Sequence, residues 1–445
     1  MLGSIMALVS CETRKLLANR PFLCLWINQM LTSTAFYLVS FAMVIWVFKL
    51  MRMNIAVSLW LLTALIPSAT LSIVSGVVAD THDRKKIMLT TNLLWALAVL
   101  LYIVARSSFP AVLVVTAVAQ GIDEFFLPAQ TATIPRLVPK SDLLAANSLL
   151  SLSAYAATVA GFVLAGPLLR FFGFEAPLIV AAALSLLGMV FISRLPAVVV
   201  RGSAEPLVSQ LGHGITSGIS FFLQQPRVRA AALFMAVLTA GGMVAGTLAP
   251  GFMEQSLGID AEDISLVGGV PLCLGLILGT VLLRKVSRRK GWGSERMVGT
   301  GFIMLGVATL GLALVPVFRP CFVSYATRLA NHLASPRAFE FLPGVSLVVG
   351  GLVFALGVAM TFVAIPVATF LQKVTPDKIR GRVYGFLDTV NAVLQSSVTL
   401  FFGAGADVLT PVPLIAAVGI LALAAGLFRN QVFGWLLARL EASPS

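Results

Sequence analysis

Residues 55–105 read IAVSLWLLTALIPSATLSIVSGVVADTHDRKKIMLTTNLLWALAVLLYIVA. Two apolar runs, 55–79 and 87–105, flank one short polar turn. Each run has about the 20 residues that carry a helix across a bilayer. The stretch is therefore expected to be a helical hairpin in lipid, with the turn at the membrane surface. The same pattern recurs along the chain and predicts twelve spanning helices, at 22–48, 55–79, 87–105, 110–132, 143–169, 175–194, 228–253, 263–283, 297–318, 345–371, 383–405 and 411–429. Composition agrees: 58% of the 445 residues are hydrophobic and 11% charged, where a soluble domain carries about 25% charged residues. The fold class expected is all-α and membrane-embedded.

The net charge of +13 would suggest an anionic partner if the basic residues shared one face. Instead they lie between spans. With the amino terminus inside, the inner segments hold 24 of the 31 Lys and Arg residues and the outer segments 7. This positive-inside asymmetry puts both termini in the cytoplasm and leaves no nucleic-acid surface to invoke. Cys11, Cys24, Cys273 and Cys321 are scattered, form no C-x-x-C pair and read as free thiols. Leu8-Val9-Ser10-Cys11 has the look of a lipoprotein cleavage site, but residues 1–10 lack a basic segment. A short cytoplasmic tail carrying Arg14, Lys15 and Arg20 is expected instead.

The chain is expected to divide into a six-helix bundle at 1–194, a cytoplasmic linker at 195–227 and a second six-helix bundle at 228–445. In the linker, Leu207, Leu211, Ile215, Ile219 and Phe222 recur at helical spacing and predict an amphipathic interfacial helix. The long outer connection, 319–344, has a similar stripe of Phe322, Tyr325, Leu329 and Leu333 beside Arg328 and His332, and is read as an insertion or a cap on the outer mouth. The halves look related. Gly121, Pro128 and Pro139 in the first correspond to Gly357, Pro366 and Pro376 in the second, and Gly76 before Arg84-Lys85-Lys86 corresponds loosely to Gly279 before Arg284-Lys285. Repeated bundles of this kind can rock about a site at their interface to give alternating access.

In the turn that opened this reading, Gly76 permits a close helix approach. Asp80 at a helix end can meet the positive amino terminus of a neighbouring helix. Arg84 and Lys85 complete an ionic latch that can open and close. The run from Gly76 to Lys86 resembles the loop signature of the major facilitator superfamily, G-x-x-x-D-R-x-G-R-K, with Thr81 in place of the usual Arg and Asp83 in place of the usual Gly. Its D-x-x-D-R-K-K form is similar to the drug:proton antiporter branch that includes macrolide and enterobactin exporters. Two further segments resemble that branch. One runs through Phe125-Phe126-Leu127-Pro128-Ala129, Ile134-Pro135-Arg136-Leu137-Val138-Pro139 and Ala145-Ala146-Asn147-Ser148-Leu149; the other through Leu371-Gln372-Lys373-Val374-Thr375-Pro376 and Arg380-Gly381-Arg382-Val383-Tyr384-Gly385. The resemblance implies the twelve-helix, two-bundle fold, a bacterial inner-membrane location, a monomer, and secondary transport. Gly161 and Gly166-Pro167 partly resemble the glycine-rich antiporter motif of the fifth helix, although Leu168 and Leu169 replace its later glycines. These small residues serve either gating or static packing.

Coupling chemistry is sought among ionisable groups held in the membrane, where charge is costly and is usually retained for a task. Asp123 and Glu124 fall near the middle of the fourth span. Adjacent residues point about 100° apart on a helix, so at most one faces a central cavity squarely, and Asp123 is the chosen candidate. Such a carboxyl can alternate between protonated and ionised forms, and its anion attracts a lipophilic cation. The competing reading is packing, with the acid satisfied by Asn28, Gln29 or Thr32 on the first span. The Arg that the family's drug exporters carry ahead of Gln120-Gly121 is Ala117 here, and Thr34, Ala35 and Phe36 occupy the region of their first-span acid. Asp388 is read either as a binding acid or as a partner for loop Arg and Lys residues.

His82, His213 and His332 have no metal-ligand spacing, and no phosphate-binding G-x-x-x-x-G-K-[ST] is present, so no metal, cofactor or ATP-driven pump is expected. No nucleophile constellation for an enzyme is found. The function expected is proton-coupled export of an amphipathic small molecule through a chamber rich in Phe and Met. A lysophospholipid flippase is the second transport reading, and a transport-inactive scaffold or sensor the third.

Overall fold

A computed structural model describes residues 16–139, 142–196, 225–290, 293–332, 344–374 and 380–427. Its elements are α1 (Arg20–Met51), α2 (Asn54–Thr81), α3 (Arg84–Ala105), α4 (Phe109–Asp123), α5 (Phe126–Leu137), α6 (Leu143–Phe172), α7 (Glu175–Ser193), α8 (Pro226–Gly251), α9 (Val270–Lys290), α10 (Ser294–His332), α11 (Gly344–Val374), α12 (Arg380–Leu409) and α13 (Pro411–Leu427). No strand occurs among the described residues. Among the described residues, eight segments are long and apolar enough to cross a membrane; Asn54–Ser68, Ala156–Phe172, Val393–Leu409 and Pro411–Leu427 are shorter apolar helices in the places of the other four expected spans. The protein is all-helical and built for a bilayer.

Two details differ from expectation. The fourth span is interrupted: α4 stops at Asp123 and α5 starts at Phe126. Pro128 explains this, because it has no N–H for the Glu124 carbonyl and its ring crowds that oxygen. The local ladder tightens, with the Phe125 amide bonding to the Ile122 carbonyl at 3.3 Å. The connection read at 319–344 also starts later than expected, because the helix that carries the ninth span, Arg296–Phe318, stays helical through His332. The remainder of that connection and the amphipathic linker stripe lie outside the described residues.

The chain forms two compact units. Residues 1–51 and 59–207 make the first, and residues 52–58 and 208–445 the second. In the first, α1 packs along α6 and α7, while α3 packs along α7. Gly161 makes the α1–α6 contact possible, since a Cβ there would stand 2.6 Å from the Leu38 nitrogen and 2.7 Å from the Tyr37 Cβ. Gly188 on α7 similarly leaves room for Asn28 and Thr32. In the second unit, Gly275 and Gly279 on α9 face Phe354, Val358 and Thr361 on α11, and Gly357 answers from α11 against Leu272 and Gly275. Small residues four apart let two helices approach backbone to backbone, the dominant attraction where lipid supplies no hydrophobic drive.

Candidate functional site

Asp123, at the carboxy-terminal end of α4, lines a small recess in the first unit together with Thr32 of α1, Thr91, Asn92 and Trp95 of α3, Phe126 of α5 and Ser185 of α7. The recess has room for about one water molecule. Its polar wall is pre-organised. Asn92 Nδ2 donates to Asn28 Oδ1 at 2.8 Å, and Ser185 Oγ donates to the Asn92 carbonyl at 2.9 Å. Thr32 and Thr91 donate to the carbonyls of Asn28 and Met88 at 2.9 and 3.1 Å. Three hydroxyl protons are thus committed to backbone, which leaves their oxygens free to accept. Among the described residues, none hydrogen-bonds or ion-pairs with Asp123. Asn28 is fully buried and its Nδ2 has no partner either.

The other first-span candidate is committed elsewhere. Gln29 Nε2 donates to the Leu150 carbonyl at 3.3 Å, and its Oε1 accepts from Gln130 Nε2 at 2.7 Å. Neither Asn28, Gln29 nor Glu124 lines the recess, so of the two adjacent acids Asp123 alone does. The sequence reading aimed this acid at a central chamber; the recess it lines consists wholly of first-unit residues. Thr91, Asn92, Trp95 and Ser185 went unnoticed, as isolated polar residues in apolar spans carry no motif. The usable signal was their shared requirement for burial with hydrogen bonds.

The basic residues of the loop signature bind helix ends. Arg84, 7% exposed, donates from Nε to the Ala79 carbonyl at 3.0 Å and from its terminal nitrogen to the Ala132 carbonyl at 2.6 Å. Lys85 Nζ reaches the Leu195 carbonyl at 2.6 Å, just past the end of α7. Cations at helix carboxy termini satisfy orphan carbonyls and the dipole. Asp83 starts α3 by accepting from the Lys85 amide at 3.0 Å. Gly76 departs from expectation: a Cβ there would meet nothing within 4 Å, so it mediates no close approach among the described residues. The side chains of Asp80 and Asp388 lie outside the described ones. Gly166 and Pro167 sit within α6, which continues past the proline to Phe172. No cluster of three His, Cys, Asp or Glu residues able to hold a metal occurs among the described residues.

A helical membrane protein with an acid lining a polar recess in a spanning helix has the make-up of a solute transporter. The sequence matches the Major Facilitator Superfamily over residues 25–399, and the chain belongs to that family. A protein called uncharacterized MFS-type transporter YfiS, from Bacillus subtilis (strain 168), is 23% identical over 359 residues, covering 79% of this chain and 77% of its own. Among solved structures, a mutant of the nucleoside transporter NupG superposes with a TM-score of 0.69 at 13% identity, covering 92% of this chain and 99% of its own. A D-xylose-proton symporter superposes with a TM-score of 0.62 at 13% identity, covering 92% and 96%. At such identities these likenesses show the fold.

Proposed function

We propose that this transporter exports an amphipathic small molecule by alternating access between two bundles, 1–194 and 228–445, and that Asp123 carries the coupling proton. The observation that carries the reading is the Asp123 recess, a carboxyl without a partner among committed hydroxyls, in a space the size of one water. A drug-sized molecule does not fit there, whereas a proton delivered along water does. The recess therefore supports ion coupling by Asp123 over direct contact with substrate. Glu124 is one residue away and outside the recess, and Asn28 and Asn92 act as positioning residues for its wall. The structural neighbour named as a proton symporter is consistent with this chemistry but shares only the fold.

The proposal extends to an inner-membrane monomer with both termini cytoplasmic, in which the Asp80, Arg84, Lys85 and Asp388 region latches the cytoplasmic side. The test is ethidium-driven proton flux in proteoliposomes. Asp123→Asn is expected to abolish it while Glu124→Gln retains it. Equal flux in Asp123→Asn and the parent protein would remove the coupling assignment, and movement of a fluorescent lysophospholipid without any proton flux would favour the flippase reading.

A further inference from the structure

All three polar side chains of α4, Thr116, Gln120 and Asp123, fall at positions i, i+4 and i+7, so an otherwise apolar helix keeps one polar stripe. The facing helix answers in register. Trp95 of α3 lines the recess with Asp123, and two turns further along the same face of α3 stands Tyr102. Two turns back from Asp123 on α4 stands Thr116, and there the helices meet again: the Tyr102 hydroxyl donates to Thr116 Oγ1 at 2.9 Å. Tyr102 is 2% exposed and Thr116 0%. The pair lies about 10 Å along α4 from Asp123, toward the exposed turn at 106–108 that joins the two helices.

The hydrogen bonding of the pair is open on one side. Thr116 gives its own proton to the Val112 carbonyl at 2.7 Å, so toward Tyr102 it can only accept. The Tyr102 oxygen keeps its acceptor capacity. Beside it stands Trp60 of α2, in the same unit, whose indole Nε1 is buried with no hydrogen-bond partner. A water between this unspent donor and the phenol oxygen would have the two polar partners it needs. On the other side, Ala98, Val99, Ala119 and the half-buried Gln120 side chain separate the pair from the recess. A phenol at this depth carries a desolvation cost that phenylalanine would avoid.

We infer that the Tyr102 hydroxyl relays protons between Asp123 and the membrane face opposite the loop signature, with Thr116 as the residue that positions it. The inference rests on the reading of Asp123 as the coupling acid and names the side from which its proton is exchanged. The step conserves charge at the phenol. Its oxygen takes a proton from a water on the Trp60 side as its own O–H gives one to water beside Gln120, and the Asp123 carboxylate accepts at the end. Turning the O–H back to Thr116 breaks the chain, so the route conducts only while water enters the seam between α3 and α4.

The test follows ethidium-driven proton flux in proteoliposomes, with ethidium binding measured by fluorescence on the same preparations. Tyr102→Phe keeps the ring and removes the hydroxyl. Its maximal flux is expected to fall about a hundredfold, the scale of a lost proton-transfer group, at an unchanged half-saturating ethidium concentration. Thr116→Val deletes the acceptor that holds the phenol and is expected to lose about tenfold, whereas Thr116→Ser keeps the oxygen and retains the parent's flux. A merely structural hydroxyl would leave flux per bound ethidium unchanged, and that result in Tyr102→Phe overturns the relay. If Tyr102→Phe does not fold, position 116 decides: equal flux with valine and serine overturns the relay. Asp123→Asn is run alongside. Flux lost there but kept in Tyr102→Phe removes the relay and leaves the acid in place; flux kept in Asp123→Asn, or absent from the parent, removes both.

Discussion

Asp123 and Asn92 show how a few polar atoms set the chemistry of an apolar unit. An aspartate in a bilayer-spanning helix was visible at once as costly and purposeful. Helix geometry allowed only one of Asp123 and Glu124 to face a cavity squarely without deciding which; the neighbours of Asp123 come from α1, α3, α5 and α7, and a tertiary arrangement of lone Asn, Thr and Ser residues leaves no local pattern to read. Asn92→Ala removes the donor to Asn28 Oδ1 and leaves a fully buried amide with no described partner for either end. The loss is expected to be about 1–3 kcal/mol, seen as a lower unfolding temperature in detergent. Asn92→Asp should in addition depress proton flux, because it sets a second acid beside Asp123. Unchanged flux in a well-folded Asn92→Asp protein would show that the recess is not on the proton path.

At the level of the elements, twelve apolar stretches were legible because the bilayer fixes helix length and forbids unpaired backbone. Interruption of the fourth span was half-legible, since Pro128 was seen as a marker but not as the cause of a break at Glu124. Glycines were the least legible, because a close approach depends on the partner helix. Gly76 and Gly161 both read as packing glycines, yet only Gly161 touches a neighbour's backbone. Gly161→Val should force α1 and α6 apart at a cost of about 1–3 kcal/mol, whereas Gly76→Ala should leave the melting temperature unchanged or raise it slightly, alanine being the better helix former. Gly275→Leu would drive a side chain into the Phe354 carbonyl, so the yield of folded protein on size-exclusion chromatography should fall steeply.

For the molecule as a whole, composition and charge distribution announced a polytopic membrane protein, and the loop motifs resembled the major facilitator superfamily, which the family match over residues 25–399 bears out. Substrate identity was not legible, since an apolar wall makes few geometric demands. Nor was the hydrogen bond from the Asn54 amide, at the start of α2, to the Asp407 carboxylate, a pairing of residues 353 apart in sequence. The interrupted fourth span carries one more consequence. Its two parts have 15 and 12 residues, about 22 and 18 Å long, so the roughly 30 Å of hydrocarbon is crossed only by the whole segment Phe109–Leu137, with its helical ladder loosened at Glu124–Phe125. Compression or stretching of the surrounding lipid is then expected to be absorbed by bending at Glu124–Phe125, directly beside the Asp123 carboxyl proposed to carry the proton. Turnover in vesicles of short-, medium- and long-chain phosphatidylcholine should pass through a sharp optimum, and replacing Pro128 by alanine, which restores a continuous rod, should flatten that dependence on acyl-chain length.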